Sequence, residues 1–112
     1  MFSIKEIDSS TLKQWRDEQK SFRLIDVRSV TEFAQGMIQN GEPLPLHILP
    51  VKADELPIEG DIVFYCRSGA RSAQACAFMQ SRGYQNVFNL RGGIMNWVMS
   101  GNSVVQYEGQ VA

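Results

Sequence analysis

The sequence predicts an α/β domain built on a largely parallel β-sheet. Short apolar runs that are typical of buried strands alternate along the chain with longer segments of helical character. The strongest strand signal is the apolar run Asp61–Tyr65, and an Ala-rich helical segment follows it over residues 71–82. Because parallel strands are joined by crossover helices, this order favours strands that run side by side in one direction.

The first half of the chain predicts two strands and two helices. Residues 2–7 alternate weakly between apolar and polar side chains and predict an edge strand. Three polar residues that can cap a helix precede a predicted helix over residues 11–19. The apolar run 23–27 predicts a buried strand, and Ser29 is the predicted cap of a short helix that Gly36 ends.

The second half predicts further elements on either side of the Asp61–Tyr65 strand and its helix. Residues 37–50 are rich in Gly and Pro and predict a loop, within which residues 46–49 predict a brief strand. Residues 51–56 predict one or two helical turns. A strand is expected over residues 86–90 and a helix over residues 94–99, with a Gly-Gly turn between them.

Length and charge limit the classes of function. The 112 residues predict one domain, 1–112, that ends in a polar tail over residues 102–112. The net charge is −1 and no basic run stands out, so neither nucleic acid nor a membrane surface is an expected partner. Nothing in the sequence requires more than a monomer. The N-terminus lacks the features of a secretory leader and no apolar run could span a membrane, which predicts a cytoplasmic location.

The two cysteines, Cys66 and Cys76, predict two free thiols with different roles. They do not form a C-x-x-C pair, and the single His of the chain cannot complete a four-ligand zinc site with them. We therefore expect no metal and no cofactor. Cys76 lies in the middle of a predicted helix between two alanines, where a cysteine most often serves as a small buried apolar residue.

Cys66 lies where a predicted strand ends and a predicted helix begins. Amide groups at the start of a helix lack intrahelical partners and favour an anion, and a loop of small residues lets several amides converge on one point. Two arginines add positive charge on either side of this loop. Such an environment lowers the pKa of a thiol and would hold either a persulfide anion or an oxyanion such as thiosulfate. Cys66 is the predicted nucleophile. The candidate substrate-binding residues are Arg67, Ser68, Gly69, Ala70 and Arg71.

Asp26 and Arg28 are predicted to support the structure rather than to act in chemistry. An acidic residue at a strand end commonly caps loop amides, and Arg28 is expected to pair with Glu32 four residues later. No second acid or base is visible near Cys66 in the sequence. Sulfur exchange needs a good nucleophile and an anion cradle more than a general base.

Four segments stand out by their order and spacing: Leu24-Ile25-Asp26-Val27-Arg28, Glu32-Phe33, Cys66 to Ser72, and Leu90 to Trp97. Together they resemble the rhodanese homology domain, and the resemblance covers about residues 4–101. It implies a five-stranded parallel sheet flanked by helices, with Cys66 as the sulfur-carrying nucleophile and residues 67–71 as a cradle of amides. One departure is Met37, which stands where many relatives have a His and predicts a reshaped flank of the site.

The resemblance implies a sulfurtransferase that takes sulfur from thiosulfate or a persulfide donor and passes it to cyanide, a thiol or a protein. Two alternatives remain open: a binding or sulfur-relay module, and a cysteine-based phosphatase or arsenate reductase. Family loops of six residues fit sulfur and loops of seven fit phosphate. The loop from Cys66 through Arg71 has six residues, which favours sulfur, while the arginine at its sixth place keeps the oxyanion alternative open.

Overall fold

The computed structural model describes residues 3–109, so the predicted strand residue Phe2 and tail residues 110–112 lie outside the described part. The strands are β1 Lys5–Ile7, β2 Phe22–Asp26, β3 Gly41–Pro43, β4 Asp61–Tyr65 and β5 Val87–Leu90. The helices are α1 Ser9–Asp17, α2 Val30–Phe33, α3 Leu49–Lys52, α4 Ala70–Ser81 and α5 Gly93–Met99, with a 3₁₀ turn over Ala53–Glu55.

The five strands form one sheet in the order β1-β5-β4-β2-β3, and every neighbouring pair is parallel. The predicted α/β fold with a mostly parallel sheet is therefore confirmed. Parallel strands place all their carboxyl ends at one edge of the sheet. β4 lies at the centre, so the residues that follow it lie between the ends of β2 and β5.

Side chains that alternate along the strands pack against helices on both faces of the sheet, as expected. One core cluster joins alternate residues of β2 and β4 to α3 and α4, and the other joins the intervening residues to α1 and α5. The first cluster includes Ile25, Ile62, Phe64, Leu49, Cys76 and Met79. The second includes Leu24, Val63, Tyr65, Leu12, Leu90 and Trp97.

Local capping fixes where the first two helices begin. The carboxylate of Asp8 accepts a hydrogen bond from the Thr11 amide at 2.8 Å, so α1 starts two residues before the predicted position. Ser29 and Glu32 form the expected capping box, in which each side chain binds the backbone of the other.

The prediction of a brief strand over residues 46–49 is wrong. Residues 46–48 form a turn and Leu49 begins α3, whereas the edge strand of the sheet is β3, inside the segment predicted as loop. The apolar residues there serve the core instead: Leu49 is fully buried in the cluster that covers α4.

Part of the polar tail packs on the domain. Val105 pairs with Met37 in an antiparallel bridge, with two backbone hydrogen bonds of 2.9 and 2.8 Å. Tyr107 packs against Phe33 with the two rings tilted by 56° and their centroids 5.4 Å apart. Within residues 3–109, no helix has the length and apolar character needed to cross a membrane.

Candidate active site

Cys66 directly follows β4 at the carboxyl edge of the sheet, and its side chain is buried. The segment 66–71, called here the Cys66 loop, leads into α4. Gly69 caps α4 with φ of 105°, a left-handed conformation that glycine adopts without steric cost. This turn brings the first amides of α4 back toward the sulfur atom.

Three hydrogen-bond donors converge on the Sγ atom of Cys66. The Gly69 amide lies 3.1 Å from the sulfur, and the amide and hydroxyl of Ser72 both lie 3.4 Å from it. Within the Cys66 loop, the predicted substrate-binding residues divide by exposure: Gly69 is buried, Arg71 is half-buried, and Arg67, Ser68 and Ala70 are exposed.

The donors determine the charge of the sulfur. Burial alone would raise the pKa of Cys66, but hydrogen bonds from the Ser72 hydroxyl and from the amides of Ser72, Gly69 and Ser68 outweigh it, and the net pKa is lowered. Cys76 lacks such donors in α4, and burial raises its pKa to about 12. The two thiols therefore differ as expected: the environment of Cys66 favours the thiolate, and Cys76 is an inert core residue.

The start of α5 fixes the Cys66 loop from the opposite side. The Ile94 amide donates to the Cys66 carbonyl at 2.9 Å and the Met95 amide donates to the Arg67 carbonyl at 3.1 Å. In a trans peptide the N–H group points away from the preceding carbonyl. The amides of Arg67 and Ser68 therefore point away from α5, which explains how the Ser68 amide contributes to lowering the pKa of Cys66.

Gly93 allows this close approach, and the variant Gly93→Ala is expected to disrupt it. A Cβ atom there would lie 2.5 Å from the Cys66 carbonyl oxygen and closer still to that of Arg67, at a φ of 61°. Overpacking and left-handed strain together predict a loss of roughly 2–4 kcal/mol in the free energy of unfolding. Urea unfolding measures this loss. Gly60→Ala is the control for strain alone, because φ is 92° there and a Cβ would meet nothing within 4 Å; equal losses in the two variants would contradict the proposed contact.

The two arginines of the Cys66 loop have different environments. Both terminal guanidinium nitrogens of Arg71 bind Glu32, at 2.6 and 2.8 Å, and this contact lowers the pKa of Glu32 to about 2. Arg71 is thus neutralised by an ion pair, which corrects the expectation of a free charge on that side of the loop. Arg67 is exposed, and no ion pair of its side chain occurs among residues 3–109.

The predicted pair of Arg28 with Glu32 is wrong. Arg28 instead binds Asp26 through its Nε and Nη2 atoms, and Nη2 also donates to the Gly36 carbonyl at 2.6 Å. Asp26 additionally accepts from the Arg28 amide at 3.0 Å, so the predicted capping of a loop amide does occur. Both side chains are buried, and they bind each other and backbone groups, as the prediction of structural support expects.

Sequence reasoning missed Ser72 and Asn89, which form a buried polar chain behind the sulfur. The Ser72 hydroxyl lies 2.5 Å from Asn89 Oδ1 as well as 3.4 Å from the sulfur, and Asn89 Nδ2 donates to the Gly69 carbonyl at 3.1 Å. An amide oxygen only accepts, so the single hydroxyl proton is shared between Asn89 and Cys66. Ser72 lies within the segment Cys66 to Ser72 that carries the resemblance, but no role was predicted for it. No sequence pattern around Asn89 indicates that this residue lies near the sulfur.

Removing the Ser72 hydroxyl is expected to shift the titration of Cys66. Ser72→Ala deletes a donor to the thiolate, so the pKa of Cys66 should rise and the thiolate should appear only at higher pH. The ultraviolet absorbance of the thiolate, followed against pH in a Cys76→Ala background, measures the shift. Ser81→Ala, near the far end of α4, is the control and should leave the titration unchanged; an unchanged titration in Ser72→Ala would show that the hydroxyl serves Asn89 alone.

Comparison with known proteins identifies the family. Residues 8–100 of the sequence match the family model that describes the rhodanese-like domain. The chain belongs to the rhodanese-like domain family. A sulfurtransferase of Allochromatium vinosum is 46% identical over 106 residues, which are 95% of this chain and 99% of that protein. A putative sulfurtransferase of Bacillus subtilis is 37% identical, covering 84% of this chain and 90% of that protein.

Solved structures agree with the fold of this rhodanese-like domain. A rhodanese-like domain protein from Staphylococcus aureus superimposes with a TM-score of 0.84 at 25% identity, over 94% of this chain and all of that one. A rhodanese-related protein from Thermoplasma volcanium gives 0.78 at 29% identity, over 90% and 97% of the two chains. The sulfurtransferase relatives support rhodanese-type sulfur transfer as the class of chemistry.

Proposed function

We propose that this rhodanese-like domain transfers sulfane sulfur and that Cys66 carries the sulfur as a persulfide. The observation that supports this most directly is the convergence of the Gly69 and Ser72 amides and the Ser72 hydroxyl on one buried sulfur atom. These donors stabilise negative charge on sulfur. A persulfide anion needs the same stabilisation after loading, so one set of donors serves both states of the cycle.

The proposed cycle needs no external oxidant or reductant. The Cys66 thiolate attacks the outer sulfur of thiosulfate, the sulfur–sulfur bond of thiosulfate breaks, and sulfite leaves with the bonding electron pair. Cyanide then attacks the outer sulfur of the Cys66 persulfide and departs as thiocyanate, which returns Cys66 as the thiolate. A persulfide donor and a thiol or protein acceptor replace the two small molecules by the same exchange of sulfur–sulfur bonds.

The remaining loop residues have roles in this proposal that follow from their charge and exposure. Arg67 directly follows Cys66 in the chain and is exposed, and its charge attracts the anionic donor. The Ser68 and Gly69 amides hold the charge on sulfur, and Ala70 keeps the start of α4 small enough for a donor to approach. Arg71 orders the mouth of the site through its ion pair with Glu32.

The same ion pair argues against the phosphatase and arsenate reductase alternative. Nη1 and Nη2 of Arg71 each donate to Glu32, so the charge at the sixth place of the loop is already paired with a carboxylate. The loop is also one residue shorter than the phosphatase loop. Both features favour attack of Cys66 on a sulfur atom over attack on a phosphate or arsenate centre.

Steady-state kinetics with thiosulfate and cyanide test the proposal. Thiocyanate formation measured over a grid of both substrates should give the parallel double-reciprocal lines of a ping-pong mechanism. An aryl phosphate, and arsenate supplied with a thiol, are the comparison substrates. Hydrolysis of the phosphate or reduction of arsenate, without sulfur loading from thiosulfate or glutathione persulfide, would contradict the proposal.

A further inference from the structure

An apolar groove lies beside the Cys66 loop, between α5 and the tail. Its floor consists of the apolar residues Ile94, Met95, Val98, Met99 and Val104, and its polar rim consists of Arg28, Glu32, Gln35, Gly36 and Arg67. The groove encloses about 280 Å³. We call it the α5 groove.

The exposed face of α5 is unusual for a surface helix. Met95, Val98 and Met99 are 44%, 50% and 79% exposed, although they occupy the i, i+3 and i+4 positions where polar side chains are typical of a solvent-facing stripe. The opposite face of α5 packs on the domain, where Ile94 and Trp97 are buried in the core. A contiguous exposed apolar stripe of this kind indicates an interaction site.

Two sets of backbone hydrogen bonds fix the groove relative to Cys66. The Ile94 and Met95 amides hold the carbonyls of Cys66 and Arg67 at 2.9 and 3.1 Å, so α5 cannot move without the Cys66 loop. The opposite wall is held because Val105, next to Val104, pairs with Met37. A molecule seated in the α5 groove therefore lies against the Cys66 loop at Arg67, in a position that these hydrogen bonds define.

The positive charge of Arg67 at the rim of the groove favours an occupant that carries a negative charge. Arg67 is exposed and has no carboxylate partner in the part of the chain that the structure describes. The other two charges of the rim are already paired, Arg28 with Asp26 and Glu32 with Arg71, so the unpaired charge of the lining is positive. An occupant that places apolar side chains in the groove and a carboxylate near Arg67 satisfies both features. The charge and the apolar floor lie on the same side of the Cys66 loop.

The size of the groove favours a transient occupant. The α5 groove is lined by ten residues, whereas a standard stable interface uses roughly 20–30 residues on each partner. A short extended segment of another protein fits this size. A second copy of this chain would need a far larger apolar face.

We propose that the α5 groove binds a thiol-bearing segment of a protein sulfur acceptor, with apolar residues next to the acceptor cysteine and an acidic residue for Arg67. This rests on the proposed sulfur transfer at Cys66. The acceptor thiolate attacks the outer sulfur of the Cys66 persulfide, the sulfur–sulfur bond at Cys66 breaks, and Cys66 leaves as a thiolate. The outer sulfur remains on the acceptor as a new persulfide, so electrons and atoms balance without a further reactant.

Three synthetic peptides with the protein loaded as persulfide test this assignment. They are acetyl-Glu-Leu-Cys-Leu-amide, acetyl-Glu-Ser-Cys-Ser-amide and acetyl-Lys-Leu-Cys-Leu-amide, and the rate of sulfur transfer to each is followed by mass spectrometry. The first should react at least about tenfold faster than the second, as expected when two apolar side chains enter the groove. Arg67→Gln should abolish the preference for the first peptide over the third.

Matched variants show whether the groove itself causes the preference. The double variant V98S/M99S should lose the apolar selectivity while its transfer to cyanide is unchanged. V51S/I58S is the control, because Val51 and Ile58 are exposed to a similar degree, 77% and 57%, and lie outside the lining of the groove. Equal rates with all peptides, or the same loss in both double variants, would overturn the assignment.

Two further outcomes would overturn the assignment in distinguishable ways. If thiosulfate and glutathione persulfide both fail to load Cys66, the proposed sulfur transfer is wrong and the acceptor assignment fails with it. Successful loading followed by equal peptide rates overturns the acceptor assignment alone. If sedimentation shows a wild-type dimer and a V98S/M99S monomer, the groove is an interface between copies of this chain rather than a site for an acceptor segment.

Discussion

Replacing Cys66 with alanine is expected to abolish sulfur transfer from thiosulfate to cyanide. The variant removes the thiol that the loop amides stabilise, and neither Ser72 nor Gly69 can act as a nucleophile for sulfur in its place. The measurement is the rate of thiocyanate formation. The fold should survive, because alanine in place of a buried cysteine deletes one sulfur atom at the end of β4 and far-ultraviolet circular dichroism should be unchanged.

Cys76→Ala is the matched control for this prediction. Cys76 is equally buried, but its pKa is raised to about 12 and it lies in the core behind α4. This variant should keep the wild-type rate at temperatures where it is folded. Residual turnover in Cys66→Ala that disappears in the double variant would show that the chemistry belongs to Cys76 instead.

Replacing Asp26 with alanine is expected to cause the largest loss of stability. The Asp26 carboxylate accepts hydrogen bonds from the Arg28 amide and guanidinium at 2.8–3.1 Å, and both residues are buried. The variant leaves the charge of Arg28 buried without its counter-ion, which predicts a loss of about 3–5 kcal/mol in the free energy of unfolding. Urea unfolding measures this loss.

An exposed ion pair supplies the comparison for Asp26. Lys13 and Asp17 are both largely exposed and lie 3.4 Å apart on α1, so Asp17→Ala should cost less than about 1 kcal/mol. The fold also places Asp26 at the end of β2, next to the Cys66 loop, so activity should fall with stability in Asp26→Ala. A loss as small as that of Asp17→Ala would show that Arg28 finds water or another partner.

The elements that sequence predicted best are those whose own residues determine them. β4 was predicted with its observed bounds, because five residues that are mostly apolar and β-branched or aromatic favour a buried strand. β3 was missed, since Gly41–Pro43 has little intrinsic preference for a strand. Its position comes from pairing with β2 and from the ion pair of Arg23 with Glu42, which are long-range contacts.

At the site, too, features that neighbouring residues determine could be predicted, and features that long-range contacts determine could not. The position of Cys66 between the end of β4 and the start of α4 follows from adjacent residues and could be predicted. The partners of the arginines could not: Arg28 precedes α2, so the spacing rule for helices does not apply to it, and Arg71 meets Glu32 across 39 residues. Asn89 reaches Ser72 from β5 only because the sheet places β5 beside β4.

Intact-mass spectrometry of the protein after incubation with thiosulfate, before and after cyanide, tests the central claim most directly. Sulfur transfer through Cys66 predicts that the intact mass rises by about 32 Da, one sulfur atom, and that cyanide removes this gain completely. Peptide mapping of the loaded protein should assign the gain to the peptide that contains Cys66. Glutathione persulfide as the donor should give the same product. An unchanged mass with both donors, or a gain that cyanide does not remove or that lies on Cys76, would contradict sulfur transfer through Cys66.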